Sequence, residues 1–242
     1  MSPPLQEIWV YLSATPLLGL TATLLAYLAA HRIYERSGFN PLANPVLIAV
    51  ALLVALLAVT GTPYKTYFEG AQFVHFLLGP ATVALAVPLY EQRAQLARLA
   101  IPLLLGLTAG VLTAVTSAVG FAWLFGASRE TILSLAPKSV TTPIAMGIAE
   151  KIGGLPSLTA VLVILTGMLG AIIARPLLNL LRVQSHATRG FALGVASHGI
   201  GTARAFQVSE EMGAFAGLAM GLAALATALL VPALLTLLAA LG

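Results

Sequence analysis

The chain has 242 residues, of which 59% are hydrophobic and 8% are charged, and its formal net charge is +4. Soluble domains carry about 25% charged residues, so this composition indicates an integral protein of the lipid bilayer. The absence of cysteine excludes disulfides, thiol catalysis and cysteine-bound metals. The basic residues are too scattered to form a nucleic-acid-binding patch.

Five apolar stretches are long enough to cross a hydrocarbon core about 30 Å thick. They are residues 8–30, 45–62, 99–125, 156–181 and 213–241. Three further stretches are apolar but carry glycine, proline, hydroxyl groups or charges at their centres: 71–90, 130–150 and 189–207. These three are predicted to be discontinuous helices. The sequence therefore predicts a single all-α integral membrane domain over residues 1–242.

The basic residues of the short loops predict the orientation, because lysine and arginine accumulate on the cytoplasmic side. Arg32 and Arg36 follow the first helix, and three arginines cluster between Arg175 and Arg189. All basic loops lie inside if residues 130–150 enter and leave on one face. The sequence thus favours about seven transmembrane helices plus one re-entrant segment over eight full spans. The N-terminus is predicted outside, with the protein in the cell inner membrane.

A weak internal repeat supports the prediction of broken helices. The segment "LGPATV" around Pro80 resembles "LAPKSV" around Pro137, and each follows a proline-initiated apolar stretch. Duplicated units with helix breaks at matching places are typical of transporter binding sites. Chance similarity between hydrophobic segments is the alternative.

Glycines spaced four residues apart predict close packing between helices. They form one pair and one triplet: Gly106 and Gly110, and Gly213, Gly217 and Gly221. Packing within one helix bundle is favoured over the alternative, a face that forms a homo-oligomer.

The segment "PKSVTTP" is the first candidate site. Pro137 should end one helix, and Thr142 before Pro143 is typical of an N-cap followed by proline at the first helical position. A helix N-terminus attracts anions. The polar residues expected beside it, as ligands for a small carboxylate, are Lys138, Ser139, Thr141 and Thr142. Charged groups within membranes are usually functional; the alternative is that Lys138 extends to the interface while the hydroxyls satisfy a broken backbone.

The segment "ASHGIGTAR" is the second candidate, with a helix break predicted at Gly199 and Gly201. His198 could carry protons, because the ordinary pKa of histidine lies near working pH. Three further residues could complete an anion site: Ser197, Thr202 and Arg204. In the alternative, His198 is an inert residue that hydrogen-bonds across helices.

The remaining polar segment, "FEGAQFVHFLLGPATVALAVPLYE", predicts a helix break at Gly79 and Pro80. Enzymatic sites are not expected. The chain contains no aspartate, which excludes a Ser-His-Asp triad, and it lacks the phosphate-binding pattern of nucleotide motors. Its four histidines show no metal-ligand spacing, so neither a metal nor a cofactor is predicted.

Four blocks resemble the LrgB family of antiholin-like membrane proteins, which includes the CidB branch and the plastid glycolate/glycerate translocator. They are "YFEGAQFVHFLLGPATVALAVPLYEQ", "LAPKSVTTPIAM", "IGGLPSLTAVLVILTG" and "RGFALGVASHGIGTARAF". The resemblance covers about residues 40–240. Arg175 departs from it, because a small residue is expected there.

The resemblance implies an LrgA-type small membrane partner and one of two roles. These are transport of small carboxylates such as glycolate, glycerate and pyruvate, or modulation of murein hydrolase export and cell lysis. Our leading hypothesis is a secondary transporter of small monocarboxylates that binds its substrate at broken helices near the bilayer midplane, with proton coupling through His198. The alternative is an antiholin-like regulator that acts through its partner and carries no solute.

Overall fold

The computed structural model of the protein describes residues 16–40, 43–76, 80, 83–84 and 86–241. These residues are helical or lie in turns and loops, and they contain no strand. The chain divides into two compact units, Met1–Ala84 and Leu85–Gly242. Both sites predicted at residues 137–143 and 196–204 belong to the second unit.

The helices of the described residues are, in chain order, α1 (Pro16–Arg36), α2 (Pro45–Thr60), α3 (Tyr64–Phe76), α4 (Ala86–Glu91), α5 (Arg93–Arg98), α6 (Ala100–Leu124), α7 (Arg129–Leu135), α8 (Thr142–Ile152), α9 (Pro156–Leu180), α10 (His186–Phe206) and α11 (Glu210–Leu241).

Four of these helices are long and apolar enough to cross a membrane: α1, α6, α9 and α11. The predicted stretches 99–125, 156–181 and 213–241 correspond closely to α6, α9 and α11. The first predicted stretch, 8–30, overlaps α1, although its residues before 16 lie outside the described part of the chain. Helix α2 has 16 residues, so it extends about 24 Å and is short for a full crossing.

In the first unit, α1 packs against both α2 and α3. The start of α2 is capped by Asn44, whose Oδ1 accepts hydrogen bonds from the amides of Val46 (2.9 Å) and Leu47 (3.3 Å). Gly19 of α1 lies against the backbone of α3, where an added Cβ would be 2.5 Å from the Tyr67 carbonyl oxygen. A helix break was predicted at Gly79 and Pro80. Gly79 lies outside the described residues, and Pro80 is helical.

The core of the second unit lies between α10 and α11. Phe215, Ala216 and Ala219 of α11 are fully buried. Gly190 and Gly194 of α10 lie so close to α11 that an added Cβ would be 2.1 Å from the Met212 carbonyl oxygen and 2.2 Å from that of Ala216. Glycine is required at both positions because no side chain fits between the two backbones.

Helix α6 covers this core from another side through the predicted small-residue pair. An added Cβ would lie 3.6 Å from the Phe191 ring at Gly106 and 2.9 Å from Val195 Cγ1 at Gly110. This face of α6 therefore packs against α10 within the chain, in agreement with the favoured interpretation.

Helix α10 is a hairpin of two arms, residues 186–197 and 199–206, joined at His198. His198 has non-helical backbone angles, φ 40° and ψ −135°. An added Cβ at Gly201 would lie 2.8 Å from the Leu193 carbonyl oxygen, whereas eight residues of straight helix span about 12 Å. The first arm contacts α11 at Met212, and the second ends at Phe206, which packs on Gly213. Both ends of α10 therefore lie at the same end of α11.

This geometry corrects two predictions about the stretch 189–207. The sequence placed the break at Gly199 and Gly201, but neither glycine has a positive φ, and the non-helical residue is His198. Gly201 instead lets the second arm approach the first. Residues 189–207 were also predicted to cross the membrane once, whereas the chain reverses direction at His198 within this stretch.

Helix α7 is anchored to the start of α9 by a buried serine. Ser134 Oγ accepts a hydrogen bond from the Leu155 amide (2.7 Å), and the Ser134 carbonyl oxygen accepts one from Thr159 Oγ1 (3.0 Å). An added Cβ at Gly154 would lie 2.9 Å from the Ser134 amide nitrogen. The chain that leaves α7 thus returns through α8 to the end of α7 before α9 begins.

Candidate functional site

The turn between α7 and α8, residues 136–141, carries the lysine of the first predicted site. Helix α7 ends at Leu135, two residues before Pro137, which has no amide hydrogen to continue the helix. Pro137 and Val140 are fully buried and hold the turn in the protein interior. Lys138, between them, is half-buried, and its Nζ donates a hydrogen bond to Ser139 Oγ at 3.3 Å. The burial of its neighbours therefore keeps Lys138 within the protein.

Helix α8 begins one residue earlier than predicted. Its N-cap is Thr141, with extended angles of φ −62° and ψ 146°, and Thr142 is already helical. Pro143 is accepted at the second helical position because the first amides of a helix have no intrahelical acceptor. The Thr141 side chain makes no capping hydrogen bond. The prediction of Thr142 as N-cap was therefore wrong by one residue.

Helix α9 provides the surface on which both broken segments meet. An added Cβ at Gly167 would lie 2.8 Å from the His198 ring, and one at Gly170 would lie 1.7 Å from Ser197 Oγ. His198 Nε2 also donates a hydrogen bond of 3.0 Å to the Val163 carbonyl oxygen. Because α9 has 25 residues, these contacts place the bend of α10 near the middle of a helix about 37 Å long.

A cavity of about 460 Å³ lies between the α7–α8 turn, α9 and the first arm of α10; we call it the Lys138 cavity. Its polar lining comes from Lys138, Thr166 and Ser197, and the rest is apolar. Its volume lies within the range of ligand pockets, about 300–1,000 Å³. The structure thus brings together residues from both predicted segments.

Ser197 has unused hydrogen-bonding capacity inside the protein. Its side chain is fully buried, and its Oγ has no hydrogen-bond partner among the described residues. An unmade hydrogen bond of a buried hydroxyl costs about 1–3 kcal/mol. Ser197 also lines the Lys138 cavity.

The other predicted site residues lie elsewhere. Thr202 Oγ1 donates to the His198 carbonyl oxygen at 2.9 Å and contacts Met220, so it satisfies the backbone at the bend of α10. Arg204 lines a different cavity, described below. Thr141 and Thr142 are half-buried at the start of α8.

The sequence analysis missed the contribution of α9. Thr166 lines the cavity, while Gly167 and Gly170 allow His198 and Ser197 to approach. Two glycines three residues apart fall on one face of a helix, so the "TGMLGA" pattern contained a signal for this close packing.

The strained backbone of His198 leads to a prediction about stability. A non-glycine residue at such angles costs about 1–3 kcal/mol, whereas glycine adopts them freely. His198→Gly and His198→Ala both remove the ring and its hydrogen bond to Val163. We expect the glycine variant to be the more stable of the two by about 1 kcal/mol, measured by thermal unfolding in detergent. An alanine variant that is equally stable or more stable would show that the bend is unstrained.

Comparison with known proteins finds one family model and several relatives. The family model described as the LrgB-like family matches residues 23–237. The protein YwbG of Bacillus subtilis (strain 168), described as uncharacterized, is 38% identical over 220 residues, covering 91% of this chain and 97% of its own. YxaC of the same organism, also described as uncharacterized, is 39% identical over 202 residues, covering 84% of this chain and 87% of its own.

A third relative has a more informative description. The holin-like protein CidB of Staphylococcus epidermidis (strain ATCC 12228 / FDA PCI 1200) is 32% identical over 227 residues, covering 94% of this chain and 98% of its own. No solved structure matches the chain. The apolar helices of the chain and its relatives both indicate a multi-pass membrane protein. The protein belongs to the LrgB family.

Proposed function

We propose that the protein transports small monocarboxylates, of the size of glycolate, glycerate or pyruvate, and binds them in the Lys138 cavity. The observation that carries the proposal is the pairing, in one cavity, of the Lys138 ammonium group with the unpartnered hydroxyl of Ser197. One carboxylate oxygen would accept from Ser197 and the other from Lys138. Hydrogen bonds between charged groups are the strong ones, so this pair favours an anion over a neutral solute.

The apolar remainder of the cavity suits the short carbon chain of such a substrate. Leu169, Ile173 and Leu177 of α9 line it, together with small residues of α10. A cavity with few polar groups binds the charged end of its ligand in one orientation and leaves the apolar end to be selected by size. The substrate class is therefore a monocarboxylate of few carbon atoms.

The position of the cavity supports transport over passive binding. Two broken segments meet beside the middle of α9, and discontinuous helices at the bilayer midplane are a common site of substrate binding in secondary transporters. We further propose that residues 130–150 form a re-entrant segment in an inner-membrane protein with its N-terminus outside. Proton coupling through His198, at the bend of α10, is part of the same proposal.

The second candidate function is an antiholin-like regulator of murein hydrolase export and lysis that acts with an LrgA-type partner. It is supported by the similarity to holin-like CidB along nearly the whole chain. Such a role needs no small solute in the Lys138 cavity. Binding and uptake of carboxylates therefore distinguish the two functions.

The test uses the full chain, first in detergent and then in lipid vesicles. A ligand that binds only the folded protein raises its unfolding temperature, so we expect stabilisation by glycolate but not by glycolamide, its neutral analogue of similar size. Vesicles containing the protein should take up labelled glycolate faster than protein-free vesicles. Equal curves with both ligands, together with uptake at the protein-free rate, would reject transport and favour the regulator.

A further inference from the structure

A second cavity, of about 320 Å³, adjoins the Lys138 cavity toward the C-terminal end of α9. Three arginines line it: Arg175 of α9, and Arg189 and Arg204 from the two arms of α10. We call it the arginine cavity. None of its arginines lines the Lys138 cavity, so the two cavities present different cationic groups.

The hairpin of α10 explains why these arginines are neighbours. Arg189 lies near the start of the first arm and Arg204 near the end of the second, and the bend at His198 returns the chain to the same end of α11. In a straight helix these two residues would lie about 22 Å apart. The fold therefore assembles a cationic cluster that neither arm contains alone.

The hydrogen-bond partners of the Arg189 guanidinium group are neutral. Arg189 donates to the carbonyl oxygen of Val183 and to the side-chain oxygen of Asn179, and Arg204 donates to Gln207 Oε1. Among the described residues, neither Arg175 nor Arg189 forms a salt bridge with a carboxylate. The hydrogen bonds of Arg189 orient its guanidinium group without cancelling its charge, and like charges around one cavity repel each other. An anion between them would relieve that repulsion.

The arginine cavity and the Lys138 cavity share a wall. Ala174, Leu178 and Leu193 line both of them. These three shared residues are apolar. They separate the arginines of one cavity from the lysine of the other, so an anion that passes between the cavities must cross a short apolar wall. Arg189, which lines the arginine cavity, donates a hydrogen bond to the carbonyl oxygen of Val183 in the 181–185 loop, and the sequence predicts this loop to be cytoplasmic.

We propose that the arginine cavity is an anion-binding vestibule that takes up the carboxylate on its way to or from the Lys138 cavity. This inference rests on the proposed transport function. Guanidinium groups bind carboxylates through paired hydrogen bonds, and they raise the local concentration of an anionic substrate. The phosphate of an anionic lipid headgroup has the same chemistry, so the experiment must separate the two sources.

The variant Arg175→Gln tests the vestibule. Arg175 is exposed at its end of α9, so its replacement should not disturb folding. Arg182→Gln is the matched control, because it removes one positive charge from the adjoining loop but does not line either cavity. We expect Arg175→Gln to raise the glycolate concentration for half-maximal uptake about tenfold. The maximal rate should stay within about twofold of the unaltered protein, and Arg182→Gln should change neither quantity.

Three results would overturn the vestibule. The first is equal half-maximal concentrations for Arg175→Gln and Arg182→Gln in a protein that transports glycolate, which leaves the transport proposal standing. The second concerns lipid: phosphatidylglycerol stabilises the unaltered protein in detergent but not Arg175→Gln, while the effect of glycolate is the same in both. This result would assign the cavity to a lipid. The third is glycolate stabilisation of equal size in both variants. Conversely, Arg175-dependent stabilisation by glycolate without uptake would support the anion site and reject transport.

Discussion

Replacing Lys138 by methionine is expected to reduce glycolate uptake about 100-fold at concentrations below saturation. The loss of one partner of a buried, hydrogen-bonded charge pair costs about 2–5 kcal/mol of binding, and every 1.4 kcal/mol is a factor of about ten. The cavity would retain the Ser197 hydroxyl but no cation. Methionine has a similar length and no charge to bury, so the folded protein should not lose stability. The measurement is initial uptake into vesicles.

The matched control for this variant is Lys151→Met, which removes an exposed lysine from the end of α8. It should transport glycolate at the rate of the unaltered protein. Lys138→Arg adds a second comparison, because it keeps the charge but changes its shape, and we expect uptake between those of the methionine variant and the unaltered protein. Undiminished uptake in Lys138→Met would mean that the anion binds elsewhere.

Replacing Gly194 by alanine is expected to destabilise the second unit strongly. Its Cβ would lie 2.2 Å from the Ala216 carbonyl oxygen and 2.8 Å from the Ala216 carbonyl carbon. The backbone of Ala216 cannot change its conformation as a flexible side chain can, so α10 would have to move away from α11. We expect a loss of about 3 kcal/mol or more, at the upper end of overpacking effects, measured by unfolding in detergent.

Gly199→Ala is the control within the same helix. An added Cβ at Gly199 would have Met220 Sδ as its nearest neighbour, at 3.9 Å, which is an ordinary contact. Alanine favours helix over glycine by about 0.5–1 kcal/mol, so this variant should be as stable as the unaltered protein or slightly more so. Equal stability losses in Gly194→Ala and Gly199→Ala would contradict the close packing of α10 on α11.

The long helices were predictable because their signal is local. Apolar runs without interruption locate α6, α9 and α11 to within a few residues, and Pro137 marks the end of α7 through its missing amide hydrogen. The predicted start of α8 was wrong by one residue because positions 141 and 142 are both threonine, and either threonine can cap a helix N-terminus. The backbone angles of Thr141 make the distinction, and these are not encoded in residue type alone.

The convergence of residues into the site was less predictable. That α9 passes both broken segments follows from tertiary packing, so the roles of Thr166 and Gly170 could not be deduced from either predicted segment. The bend of α10 was assigned to glycine because glycine tolerates unusual angles, whereas packing against Gly167 and the hydrogen bond to Val163 hold His198 there instead. Arg204 was grouped with Lys138 by chemistry, but the hairpin directs it to the arginine cavity.

The hairpin of α10 also implies an order of assembly during biogenesis. Each arm has at most 12 residues and extends about 18 Å, so neither can insert as an independent span. The bend interrupts the helical hydrogen bonds, and such backbone is tolerated at membrane depth only where protein covers it. Helices α9 and α11 provide that cover. Insertion of these two helices must therefore precede the final docking of α10, and the binding site is completed last.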